Sequence, residues 1–178
     1  MGAELWFHEA PWKPQPEDAL FELQVQFLRE HYDLASLLRD HLHSAREAVR
    51  LTEAKGYEIL GFHRDCLACL EELAARPIPE AASDQIEFVR EIEKWSGEGV
   101  GNILDVTGVS GDGDMDARVL TPDDVRQFCG TDHPTRPQAV AAVYGINEKL
   151  DRGESVCFAF FDPEGNPIGW YFVGNTLD

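Results

Sequence analysis

The sequence predicts an α+β protein: an N-terminal antiparallel helical hairpin or bundle, then a small α+β unit ending in an aromatic β-hairpin. Three observations carry this expectation. Residues 17–55 contain no Gly or Pro and repeat apolar side chains at helical spacing. Six glycines between Ser96 and Gly113 interrupt the helical pattern. The chain then closes on two aromatic runs around Asp162-Pro163-Glu164-Gly165-Asn166, a strong hairpin signal.

Residues 1–15 set Trp6, Phe7 and Trp12 close to Pro11, Pro14 and Pro16. Proline fixes φ and removes a donor, so this segment is expected as an aromatic strap on the core, not a helix. From Glu17, apolar residues recur at Leu20, Phe27, Leu34, Leu38, Ala45 and Val49, up to a stop at Lys55-Gly56. This is one long helix, or two broken near His31-Tyr32-Asp33 with Asp33 capping the second. Tyr57 to Arg76 continues with the stripe Leu60, Leu67, Leu70, Leu73, and the tight link at Gly56 implies an antiparallel hairpin over about 17–76. Ser83 is the expected cap of a third helix over about 84–96, burying Ile86, Phe88 or Val89, Ile92 and Trp95. The organisation read from these signals is 1–97, strap plus helical bundle, and 98–178, the α+β unit, packed together as one compact protein.

Within the second part, Ile103-Leu104-Asp105-Val106 suggests a short strand. Thr121-Pro122-Asp123-Asp124 reads as an N-cap, a proline at the first helical position and acids in the first turn, ending near Cys129-Gly130. A further helix is expected over about 137–151. In the hairpin, alternation puts Phe158 and Phe160 on one face, Cys157 and Phe161 on the other, and Trp170 with Phe172 opposite Tyr171. That is more aromatic surface than one buried face needs, so both faces are expected to be covered.

Charge limits the function. The 178 residues carry 33 acidic against 15 basic side chains, net −18, with 43% hydrophobic content. Such a surplus disfavours direct nucleic-acid binding, which needs clustered Lys and Arg, and disfavours anionic membrane. No run of 18 apolar residues exists, and Met1 to Pro14 lacks the basic start and apolar core of a signal peptide, so the expected location is cytoplasmic. Four scattered cysteines fit that expectation.

The acidic loop from Ser110 to Asp124 is the most pointed motif. A calcium loop wants oxygen ligands at its positions 1, 3, 5, 7 and 12, glycine at 6 and an apolar residue at 8. Asp112, Asp114, Asp116, Val119 and Asp123 meet positions 1, 3, 5, 8 and 12, but Ala117 stands where glycine is wanted and Asp123 replaces a longer glutamate. An exposed acidic surface accounts for the pattern better, with Asp105, Asp112, Asp114 and Asp116 as its partner-binding residues. Cys66 and Cys69 with His63 form a Cys-x-x-Cys on a helix, which reads as buried thiols before it reads as zinc or redox chemistry. His41 falls on the apolar stripe, while Asp40, His43 and Glu47 share another face. Cys129, Asp132 and His133 lie within five residues and fit an ordinary turn. No phosphate-cradling, dinucleotide or nucleophile-elbow signature occurs. The leading expectation is a non-enzymatic acidic protein that binds a partner's basic surface as inhibitor, adaptor or regulator. Beside it stand a metal-dependent protein or enzyme, using the Ca²⁺ loop or the His/Cys positions, and a subunit of a larger assembly.

Overall fold

The computed structural model describes residues 5–96, 102–110 and 115–175, and the protein is α+β. It divides into two compact units, Met1–Phe27 with Gly101–Asp178, and Leu28–Val100.

The first unit is built on a sheet. The aromatic segment expected as a strap is strand β1 (Leu5–Pro11), and its prolines mark an end: Pro11 is its last residue and Pro16 opens helix α1 (Pro16–His31). Strand β2 is Ala117–Val119, followed by helices α5 (Pro122–Cys129) and α6 (Arg136–Asn147), then β3 (Ser155–Phe161) and β4 (Pro167–Asn175). The order is β1-β4-β3-β2, with β4 antiparallel to β1 and β3, and β2 parallel to β3 across the α5–α6 crossover. The β3–β4 turn forms as its residues dictate: Gly165 takes φ 86, and the Asp162 carboxylate accepts from Asn166 N (2.7 Å) and Nδ2 (2.9 Å).

Both faces of the sheet are covered. Ala10, Cys157, Trp170 and Phe172 face α1 residues Ala19, Leu20 and Leu23 and the segment bearing Ile103, Val106 and Val109. Val156, Phe158, Phe160, Tyr171 and Val173 face Val125 of α5 and Ala139, Ala142, Val143 and Ile146 of α6. Each such large side chain contributes roughly 1.5–3 kcal/mol by leaving water. The expected alternation holds for these residues and stops at Phe161, where a register shift follows Phe160. Two glycines make room for rings: a methyl group at Gly174 would overlap the Trp6 indole opposite it, and one at Gly169 would overlap the Phe160 ring. Trp12 stacks on Trp170 (5.2 Å between centroids), and Trp170 Nε1 donates to Lys13 O at 2.9 Å.

Residues 103–105, expected as a strand, form a 3-10 turn because Asn102 caps them: Leu104 N donates to Asn102 Oδ1 at 2.9 Å. Gln24, only 5% exposed, fastens this turn to α1 by donating from Nε2 to Ile103 O (2.9 Å) and Val106 O (2.7 Å). The Thr121-Pro122 signal does start α5, with Asp124 N donating to Thr121 Oγ1 and Gly130 closing the helix at φ 78.

The second unit is a three-helix bundle: α2 (Leu34–Lys55), α3 (Leu60–Ala74) and α4 (Ala82–Ser96). The long Gly-free run is thus two helices, and Asp33 caps the second by accepting from Ala35 N and Ser36 N. Gly56, at φ 66, ends α2. The pairs Arg46–Glu71, Thr52–His63 and Glu53–Arg64 have nearly constant index sums, so α2 and α3 run antiparallel. Leu38, Leu70, Leu73, Phe88 and Ile92 form the bundle's core. Helix α4 starts before its expected cap, at Ala82, and Ser83 Oγ donates instead to Asp84. Among the described residues no helix is long and apolar enough to cross a membrane.

Candidate functional site

The acidic residues singled out in the sequence that lie among the described ones have separate local roles. Asp105 completes the cap of the 3-10 turn, accepting from Asn102 N at 3.3 Å. Asp116 accepts from Thr107 Oγ1 at 2.8 Å and from Ser110 Oγ, and these hydroxyl bonds hold its carboxyl below the usual range. The flanks of the loop are pinned by Thr107 N to Met115 O (3.0 Å) and Ala117 N to Gly108 O (2.9 Å). Asp123 is 91% exposed and accepts from Arg126 at 2.7 Å. Asp112 and Asp114 lie outside the described residues. The segment lacks the sharp turn of a calcium loop after position 5: Ala117 is buried and opens β2, with no non-Gly residue at positive φ among those described. Among the described residues, no three His, Cys, Asp or Glu side chains group to hold a metal ion.

The other motifs are drawn into packing or ion pairs. Cys129 and Cys157 are protonated thiols, pushed up to about 11 and about 12, burial being the main cause. His133 Nδ1 lies 3.1 Å from Asp132 Oδ1 with its ring against Phe161, and this hydrogen bond, then Arg126, holds Asp132 low. Glu47, on the face shared with Asp40 and His43, binds Arg50 instead.

The bundle brings His41 of α2 to His63 and Cys66, which helical spacing on α3 already groups. A cavity of about 220 Å³ opens between α2, α3 and α4. On α2 it is bordered by His41, Ser44, Ala45 and Ala48, small or polar residues interrupting an otherwise leucine-rich stripe. Phe62, His63 and Cys66 of α3 and Trp95 of α4 also line it. Among the described residues no Asp, Glu, Lys or Arg lines it. His41 Nε2 instead faces the buried Glu93 at 3.6 Å. His63 Nδ1 lies 3.4 Å from Thr52 Oγ1, whose own hydroxyl lies 2.7 Å from Ala48 O. Burial raises the Cys66 thiol, so its sulfur is not an activated nucleophile. Phe62 is 59% exposed at this site, and Leu51, Tyr57 and Ile59 are exposed nearby in sequence around the α2–α3 turn.

Comparison with known protein families, with curated proteins and with solved structures finds no match to this chain.

Proposed function

We propose that this chain is a protein-binding regulator or adaptor whose acidic surface recognises a partner bearing a basic one. The observation that carries the reading is how unevenly its charge is compensated. The sheet unit holds 18 acidic and six basic residues, net −12, against 15 and nine, net −6, in the bundle. The few cations of the sheet unit are largely engaged by its own acids: Arg118 with Asp124, Arg126 with Asp123 and Asp132, Arg136 with Glu9, and Lys13 with Glu22. Glu148, Asp151, Glu154 and Glu164 remain solvent-facing. A surplus of one sign steers an oppositely charged partner and raises its association rate more than its intrinsic affinity.

The test is salt-dependent partner binding with two charge-neutralised variants. The partner captured on immobilised protein should dissociate between about 50 and 500 mM salt. Neutralising Glu148, Asp151, Glu154 and Glu164 to Gln or Asn should weaken capture more than neutralising Glu58, Asp65, Glu72 and Glu80 of the bundle. Retention that ignores both salt and the sheet-unit variant would sink the reading.

A further inference from the structure

Among the described residues no Asp, Glu, Lys or Arg lines the cavity of the bundle, in a protein that is 27% charged. This lining of aromatic, aliphatic and imidazole groups favours a neutral occupant, because an ionic one would lose its hydration against walls that are mostly apolar. The walls point to its shape. Phe62 and Trp95 offer aromatic contact, while Ala45 and Ala48 withdraw from the space an ordinary bundle fills with leucine. An apolar cavity of roughly 150 Å³ holds benzene, so about 220 Å³ corresponds to about nine heavy atoms.

One polar group in the wall has a defined hydrogen-bonding sense. Thr52 has a single hydroxyl hydrogen, shared between Ala48 O at 2.7 Å and Val49 O at 3.0 Å in its own helix, so towards His63 it acts as the acceptor. His63 Nδ1 therefore carries hydrogen, and in the neutral ring Nε2 is left with a lone pair. Metal is not the fitting occupant, since no three suitable ligands converge among the described residues. A covalent adduct is disfavoured because burial keeps Cys66 protonated.

We propose that this cavity is a binding site for a small, neutral, planar aromatic compound bearing one N–H or O–H donor, received by His63 Nε2 between Phe62 and Trp95. Indole serves as the probe, and benzofuran, its isostere without the N–H, as the control, both titrated calorimetrically into the full chain. Indole should bind, and benzofuran about fivefold more weakly, the loss of one neutral hydrogen bond. His63→Phe should erase that preference while retaining benzofuran binding. Ala48→Leu, which fills the space, should reduce affinity for both by at least tenfold. On the wild-type protein, the ¹⁵N signal of His63 Nε2 should move on adding indole and stay in place with benzofuran, a readout independent of how variants fold. Equal affinities for the two probes, an unmoved Nε2 signal, or no indole binding at millimolar concentration would each overturn the proposal.

Discussion

In the sheet unit, large rings from neighbouring strands fill both faces, and its glycines are placed to admit them: Trp6 over Gly174, Phe160 over Gly169. One of its buried amides, Gln24, is paired to two carbonyls. In the bundle, α2 carries His41, Ser44, Ala45 and Ala48 along the stretch where its apolar stripe should be widest, and a cavity results. The charge runs the other way, net −12 on the filled unit and −6 on the one with the opening. The contrast shows that dense packing and low charge need not coincide: a tightly filled core supports an acidic exterior, while space is kept where charge is sparse.

The sharpest way to break this contrast is Phe158→Ala. Phe158 is fully buried against Tyr171, and truncation should cost about 3–5 kcal/mol, read by denaturant unfolding. Hydrogen exchange should show β3 and β4 amides losing more protection than those of α2 and α3; equal losses would mean the units share one cooperative transition. Gln24→Leu comes next, at about 2–4 kcal/mol, since the carbonyls of Ile103 and Val106 lose their donors in a buried site. A loss below about 1 kcal/mol would show that water replaces the amide.

Asp116→Asn gives the smallest effect and sharpens the electrostatic half of the comparison. The folded-state carboxyl of Asp116 is depressed by the Ser110 and Thr107 hydroxyls, so its contribution is present above the unfolded value of about 3.9. It is lost as pH falls through the depressed folded value. The variant should therefore melt slightly lower than wild type at pH 7, by less than about 1 kcal/mol, and the gap should close as pH drops below about 3.9. A gap that widens in acid would reverse the assigned cause.

Much of this was legible where local chemistry decides local structure. Asp33, Gly56, Thr121-Pro122 and the Asp162–Asn166 turn each act as their residue types require. The aromatic alternation of β3 and β4 likewise follows from pleating. Strand β1 was not legible, because its pairing partner is distant and its flanking prolines resemble a coil signal. Strand β2 is three residues long and is completed by a parallel neighbour beyond two helices. The 3-10 turn at Ile103 replaced a strand because Asn102 satisfies its first donors locally. The acidic motif pointed at Asp116, yet the partners that occupy it, Thr107 and Ser110, are uncharged and drew no notice. The cavity was hidden for another reason: His41, His63 and Cys66 lie on three-four spacings that also describe an ordinary buried stripe. The usable signal was the run of small residues beside His41, meaningful only once α3 and α4 are laid against it.

The pairing of β1 with β4 also orders events in time. Ala10 is opposite Trp170, 160 positions later, so the sheet closes only after residue 170 has been made. The bundle, Leu28–Val100, is complete in sequence long before that and relies on nearby contacts such as Thr52 with His63. Local contacts form quickly and distant ones slowly. During synthesis, then, the nascent chain presents a formed bundle beside an unpaired Trp- and Phe-bearing strand, and that strand is the segment most in need of shielding until its partner emerges.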